Sequence, residues 1–220
     1  MRPLSLLEAR VLGVLIEKAH TVPDSYPLSI NSLTLGCNQK TARDPVFTVS
    51  EGDVQGAVDT LKSLSLAFEA SGSRVTRYEH NLGRAMALPS QSVVLLCVLM
   101  LRGAQTVSEL RAHSERLHRF ADLSAVEGFL DELAARPDDK GGPLVVKLAR
   151  AAGAREARWA HLLCGAVDAA TAAVPTDDAD FVAVSELAAM KSRLAVVEAD
   201  LAALRAQVER LYRELELSAS

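Results

Sequence analysis

The pattern of apolar and polar residues predicts a chain built mainly from amphipathic helices. Residues 6–18 and 90–102 each carry apolar side chains at helical spacing. Further helix starts are marked by capping boxes, in which a hydroxyl and a carboxylate three residues later bond each other's backbone amides. These boxes are Ser5 with Glu8, Thr106 with Glu109, Ser124 with Glu127 and, in a weaker form, Ser50 with Asp53.

The sequence repeats itself once. Residues 54–61 resemble 126–133 at an offset of 72, and residues 74–80 resemble 155–161 at an offset of 81. The nine additional residues fit in the turn-rich stretch 136–143. Each half is therefore predicted to contain a helix, a short helix, a third helix and a β-hairpin.

Short alternating segments predict the two hairpins. The first is expected over residues 66–70 and 74–80, and the second over 144–148 and 155–163. Three helices followed by a two-stranded wing form a winged helix, a variant of the helix-turn-helix. The predicted fold class is therefore mainly α with small β-hairpin wings, arranged as two tandem winged-helix domains over residues 1–83 and 84–168.

The last quarter of the chain has a different pattern. Residues 169–182 are rich in Ala, Thr and Asp and lack apolar periodicity, which is typical of a linker. Over 183–217, apolar residues alternate spacings of three and four without interruption, which predicts a C-terminal coiled-coil helix. The seam consists of Leu187, Met190, Leu194, Val197, Leu201, Leu204, Val208, Leu211 and Leu215.

We expect this helix to form a parallel homodimer. In a parallel pair, Arg193 would face Glu198 of the second copy and Asp200 would face Arg205, and both pairs are attractive. The alternative is a tail that folds back on its own domains through the same apolar stripe.

Composition and charge exclude several classes of protein. The 220 residues are 49% apolar and carry 24 basic and 28 acidic side chains, a net charge of −4. The longest apolar run, residues 93–101, is far shorter than the roughly 20 residues that span a bilayer. Three scattered cysteines indicate reduced thiols rather than a disulfide framework. We therefore expect a cytoplasmic protein without membrane contact.

Several stretches resemble the YceH-like family of uncharacterised bacterial proteins. The most specific is Cys-Asn-Gln-Lys-Thr-Ala-Arg-Asp-Pro-Val at 37–46; the others lie at 8–13, 26–31, 74–78 and 101–106. They cover both predicted winged helices. The resemblance implies a tandem winged-helix fold in a bacterial cytoplasm, and it implies no activity, catalytic residue or ligand.

The third helix of each half, residues 50–65 and 123–136, is poorly suited to reading DNA. Both helices are mainly acidic, and carboxylates that face phosphates repel them. The repeat places a glycine and, one turn later, an aspartate on each outward face. Because glycine admits a close backbone approach, we predict a protein-docking surface for the other half or for a partner protein, formed by Gly56, Asp59, Gly128 and Asp131. The alternative is an unused face inherited by both copies.

Basic side chains near the wings and short helices are the candidates for contacts to nucleic-acid phosphates, which would be independent of base sequence. They are Lys40, Arg43, Arg74, Arg77, Arg111, Arg116, Arg119, Arg155 and Arg158. The competing interpretation is an ordinary solvated basic face. On each wing Tyr78 or Trp159 is expected to close the core, with His80 or His161 at its rim; a paired pH sensor is the alternative.

No catalytic constellation is present in the sequence. It contains no phosphate-binding loop, nucleophile elbow or zinc-binding helix motif, and Cys37 has no positioned base. We therefore predict no catalytic residue, cofactor or metal. The leading hypothesis is a dimeric adaptor or regulator that acts on an unidentified protein partner, and the alternative is a DNA-binding transcription regulator.

Overall fold

The first half of the chain folds into three helices and a small sheet. The computed structural model describes residues 2–70, 75–150 and 155–167. The helices are α1 (Leu6–Thr21), α2 (Ile30–Cys37) and α3 (Glu51–Ser63), with a 3-10 turn at Pro23–Ser25. The strands are β1 (Leu28–Ser29), β2 (Ala67–Ala70) and β3 (Arg77–His80), in the sheet order β1-β3-β2.

The second half also contains three helices followed by two strands. After a short helix α4 (Leu82–Ala85) come α5 (Ser90–Arg102), α6 (Val107–Ser114), α7 (Leu123–Ala134), a 3-10 turn at Asp138–Lys140, and the strands β4 (Val145–Lys147) and β5 (Trp159–His161). Strands β4 and β5 form an antiparallel pair. A single bridge between Gln105 and Trp159 takes the place of a third strand. The predicted order of three helices and a hairpin is observed in each half, and strand β1 of the first half was not predicted.

Most predicted helix starts are confirmed, and one is wrong. Ser5, Ser50 and Thr106 each cap their helix with both bonds of the capping box. Ser124 does not cap α7, because Asp122 two residues earlier accepts the amide of Ala125 and also the Ser124 hydroxyl. The carboxylate is the stronger acceptor at this position, so the helix begins at Leu123.

Helices α1 and α5 pack together and join the two halves. Every residue of α5 from Ser92 to Leu101 is buried, because α1 covers one side and α6 and α7 cover others. Gly13 makes the close approach possible, since a Cβ there would lie 2.9 Å from a methyl carbon of Leu101. The Cys97 thiol donates to the Gly13 carbonyl oxygen at 3.3 Å. Both halves therefore share one continuous apolar core.

All the described residues lie within a single compact unit. The boundary between two domains at residues 83 and 84 therefore remains a prediction. The predicted linker, the coiled-coil seam from Leu187 to Leu215, and Arg74 lie outside the described residues. In the described part of the chain, no helix has the length and apolar character needed to cross a membrane.

Candidate interaction surfaces

The outward face of α3 is exposed and acidic, as the repeat predicts. Glu51, Asp53 and Asp59 are all exposed. The one basic side chain of this helix, Lys62, donates to Glu69 at 3.0 Å and lies 3.9 Å from Asp59. Its charge is therefore already matched, and the helix presents net negative charge to solvent.

Helix α7 presents the same kind of face in the second half. Glu127, Asp131 and Glu132 are exposed, and no basic residue lies within the helix. Apart from the adjoining residues and the backbone of its own helix, no described atom lies within 4 Å of a Cβ placed at Gly56 or at Gly128. Within the described residues the other half does not dock on these faces, because the halves meet through α1 and α5. Docking of a partner protein there stays a prediction.

Arg43 is not a phosphate contact, contrary to the prediction. Its side chain is 0% exposed and pairs with both carboxylate oxygens of Glu17, at 2.6 and 3.1 Å. It also donates to the Gln39 side chain and to the carbonyl oxygens of Gly36 and Ala42. The pair with Glu17 holds the 39–43 loop against α1, and the bond to Gly36 ties it to α2. The residue serves the fold, because a guanidinium with this many internal partners is not available to a phosphate.

Four other predicted phosphate contacts are engaged within the chain. Arg77 donates to the Pro27 carbonyl at 2.8 Å, which ties β3 to the segment before β1. Arg158 donates to the Ala104 carbonyl and to Glu109, and Arg111 donates to the Ala121 carbonyl. Arg119 pairs with Glu115 on the surface while its side chain stays 84% exposed. Of these four, Arg119 keeps the most access to solvent.

Three predicted phosphate contacts are exposed and unpaired. Lys40, Arg116 and Arg155 make no hydrogen bond or ion pair with any other residue that the structure describes. They come from the 39–43 loop, the segment after α6 and the second wing. A continuous basic stripe along a recognition helix, the usual footprint of a DNA reader, is absent from the described residues.

The aromatic residues of the wings close the core, as predicted. Tyr78 is 5% exposed and Trp159 is 2% exposed. His80 and His161 lie at the rim, and the Nδ1 atom of each is buried with no hydrogen-bond partner among the described residues. Burial lowers the pKa of both histidines to about 4, and the charge of His20 adds to the effect at His80. Both rings are therefore neutral at physiological pH.

These two histidines are expected to make stability depend on pH. Their folded-state pKa of about 4 lies below the ordinary value of 6.5, so the unfolded chain binds protons that the folded chain rejects. This stabilisation is fully present above about pH 6.5 and is lost as the pH falls toward 4, at roughly 3 kcal/mol per histidine. Urea unfolding at neutral and acidic pH measures the loss.

The matched variant is His161→Gln, whose side chain does not titrate in this range. We expect a smaller fall in unfolding free energy between neutral and acidic pH than in the unmodified protein. An equal fall in both proteins would show that His161 does not carry the effect.

The buried cysteines are poor nucleophiles. Burial raises the pKa of Cys37 to about 12, although the charges of Arg10 and Arg43 partly oppose this shift. Burial also raises the pKa of Cys97 and of the half-buried Cys164. A nucleophilic cysteine needs a lowered pKa, so none of the three thiols is activated.

Sequence reasoning missed a buried polar cluster at the junction. Arg10, on α1, is 1% exposed, and its guanidinium lies 4.5 Å from the Phe47 ring centroid. It donates to the carbonyl oxygens of Cys37 and Pro45, at 3.3 and 2.6 Å. The available signal was its position: Arg10 stands within the otherwise apolar stretch of a helix whose residues 8–16 are all buried.

The described elements define a mainly helical, winged-helix-like protein with small antiparallel sheets. Residues 4–154 match the family described as "Protein of unknown function, DUF480". The chain belongs to this family of bacterial proteins, and the resemblance seen in residues 37–46 is thereby confirmed.

Relatives match nearly the whole chain. A UPF0502 protein of Leptothrix cholodnii is 59% identical over 217 residues, which cover 97% of this chain and 96% of the relative. A UPF0502 protein of Burkholderia pseudomallei strain 668 is 59% identical over 215 residues, covering 98% and 90%. One from Acidovorax sp. strain JS42 is 55% identical over 218 residues, covering 97% and 95%.

Proposed function

We propose that this protein is a non-catalytic, dimeric adaptor or regulator that acts through protein contacts. The observation that carries the proposal is the exposed acidic face of α3 and of α7, where Lys62 is already paired with Glu69. In a winged helix this face is the one that would enter the major groove. Its charge favours a basic protein surface over a phosphate backbone.

The two exposed glycines support the same proposal. A glycine inside a helix costs up to about 1 kcal/mol relative to alanine, and Gly56 and Gly128 have open space above them. The fold therefore does not require either glycine for close packing. The backbone of a partner protein could approach α3 and α7 closely at the two glycines. Asp59 and Asp131, one turn later, would then accept hydrogen bonds from it.

The test is capture of partners by the double variant Gly56→Leu, Gly128→Leu. Relief of the glycine penalty is expected to stabilise each helix by roughly 0.5–1 kcal/mol. Capture from a bacterial lysate treated with nuclease is expected to fall, because the leucines block the approach. Thermal unfolding and quantitative mass spectrometry measure the two effects.

The control is Ala112→Leu, which places an exposed leucine on α6, outside the faces of α3 and α7. It should leave capture near that of the unmodified protein. If the double variant captures the same proteins as the control, the glycine faces are not used. If capture disappears when nuclease is added to the unmodified protein, nucleic acid mediates it and the adaptor proposal is wrong.

The dimer part of the proposal rests on the heptad seam of residues 183–217. Light scattering of the full chain is expected to give twice the monomer mass of 23.5 kDa. Truncation after Asp180 removes the seam and is expected to give a monomer. A monomeric full chain, or a dimer that survives truncation, would contradict it.

The exposed cations favour a second candidate, a DNA-binding regulator. Lys40, Arg116 and Arg155 have no partner among the described residues and could reach phosphates. Binding of this kind would be weak, with affinity falling steeply as salt rises. A randomised-oligonucleotide selection at moderate salt separates the candidates, since a defined motif that Lys62→Ala weakens would favour the regulator.

A further inference from the structure

A cleft of about 260 Å³ lies at the junction of the two halves. Its walls are the last turn of α1, the 39–42 stretch, the end of α5 and the residues that follow α6. Both halves contribute to it, so the cleft exists only because α1 and α5 pack together. Apolar side chains form part of the lining, among them Val98, Leu101 and Leu117.

Basic side chains line the rest of the cleft. Lys18 comes from α1, Arg102 from the end of α5, and Arg116 from the segment after α6. Lys18 is engaged, because it pairs with Glu17 at 3.3 Å and donates to Gln39 at 3.2 Å. Arg102 is half-buried, and neither it nor Arg116 has a hydrogen bond or ion pair within the described part of the chain.

The cleft has too few carboxylates to balance its basic side chains. Glu17 is the one carboxylate in the lining, and Arg43 holds both of its oxygens. Two guanidinium groups, those of Arg102 and Arg116, have no ion-pair partner among the described residues. A partly desolvated guanidinium without a counter-ion is unfavourable, so an anion in the cleft would stabilise it.

The electrostatics around Arg102 agree with this geometry. Burial lowers the pKa of Arg102, the neighbouring charge of Arg43 lowers it further, and Glu17 opposes the shift. Burial also lowers the pKa of His113, and the charge of Arg102 adds to that effect. A further positive charge in the cleft would therefore be unfavourable.

We infer that this cleft binds a small phosphorylated molecule whose phosphate lies against Arg102 and Arg116. Two unpaired guanidinium groups match the charge of a phosphate dianion, and their planar forks match its oxygens. The apolar wall of Val98, Leu101 and Leu117 would hold the non-phosphate part of the ligand. The site is separate from the α3 and α7 faces, so it would serve a ligand that regulates the protein.

The test is a titration of the protein with inorganic phosphate. Binding is measured by calorimetry and by thermal unfolding, and sodium chloride at equal ionic strength is the reference. Phosphate is expected to raise the unfolding temperature of the full chain beyond the chloride reference. Arg102→Gln is expected to weaken phosphate binding roughly tenfold to a hundredfold, because one charged, forked contact is lost. Arg102→Lys keeps the charge without the fork and should give an intermediate loss.

The matched control is Arg119→Gln, which removes an exposed arginine outside the cleft and should leave phosphate binding unchanged. Succinate in place of phosphate tests whether a dicarboxylate is the better ligand. Equal stabilisation by phosphate and chloride, equal phosphate binding by Arg102→Gln and Arg119→Gln, or tighter binding of succinate would each overturn the inference. Arg102→Lys guards against misfolding, since it retains the cation at the end of α5.

Discussion

Replacing Glu17 by Ala is expected to lower the free energy of unfolding by about 3–5 kcal/mol, because it leaves a buried guanidinium without a counter-charge. The Arg43 side chain is 0% exposed, and the Glu17 carboxylate meets it at 2.6 Å. Burial by itself raises the pKa of Glu17, but the hydrogen bonds and charge of Arg43 more than offset this and hold that pKa below its ordinary value. Urea unfolding at neutral pH measures the loss.

Two further variants distinguish lost charge compensation from lost packing. Glu115→Ala breaks an exposed pair with Arg119 and is expected to cost less than about 0.5 kcal/mol. The double variant Glu17→Leu, Arg43→Met removes both charges and should cost less than Glu17→Ala alone, since no buried charge is left unpaired. A Glu17→Ala cost no larger than that of Glu115→Ala would show that the buried pair does not stabilise the fold.

Most of the local structure could be predicted from the sequence, because its causes lie within a few residues. The capping boxes at Ser5, Ser50 and Thr106 each join residues three apart, and all three form. The exception at Ser124 also has a local cause, since the Asp122 carboxylate takes the amide instead. The two-residue strand β1 was missed because its pairing partner, β3, is about 50 residues away in the sequence.

The candidate site was harder to predict from the sequence, because the role of an arginine depends on partners that are distant in sequence. Arg43 stands beside Lys40 in a turn, which is typical of a phosphate contact. Its main partner, Glu17, is 26 residues earlier, and nothing local to the turn points to it. Arg158 is similar, with Ala104 and Glu109 as its acceptors. By contrast, the outward orientation of Asp59 followed directly from helical spacing.

The sequence also contained an indication that the two halves pack together. The run of nine apolar residues, 93–101, excludes a membrane span by its length. It also makes α5 apolar on all sides, and such a helix must be covered on all sides. Helices within one half can cover only part of that surface. The remaining cover comes from α1, which is why the two halves share a core.

Replacing Gly36 by Ala is expected to destabilise the protein by about 1–3 kcal/mol, because the added methyl has no space. A Cβ at Gly36 would lie 2.5 Å from the Cγ1 atom of Val14, which is fully buried in α1. Valine is β-branched and stiff, so it cannot turn away within a packed core. The helix α2 would have to move, although the gain in helix propensity from the alanine offsets part of the cost. Chemical unfolding of the single variant measures the net change.

Two other variants, Gly56→Ala and Gly13→Ala, provide comparisons for the stability of Gly36→Ala. Gly56 has open space above it, so its alanine variant is expected to gain up to about 1 kcal/mol. At Gly13 the nearest atom is the flexible tip of Leu101 at 2.9 Å, so we expect a loss smaller than at Gly36. The predicted order of stability is therefore Gly56→Ala above Gly13→Ala above Gly36→Ala. A stabilised Gly36→Ala variant would mean that α2 approaches α1 less closely than the structure shows, and the loop that carries Arg43 would then have to be held to α1 by its polar contacts alone.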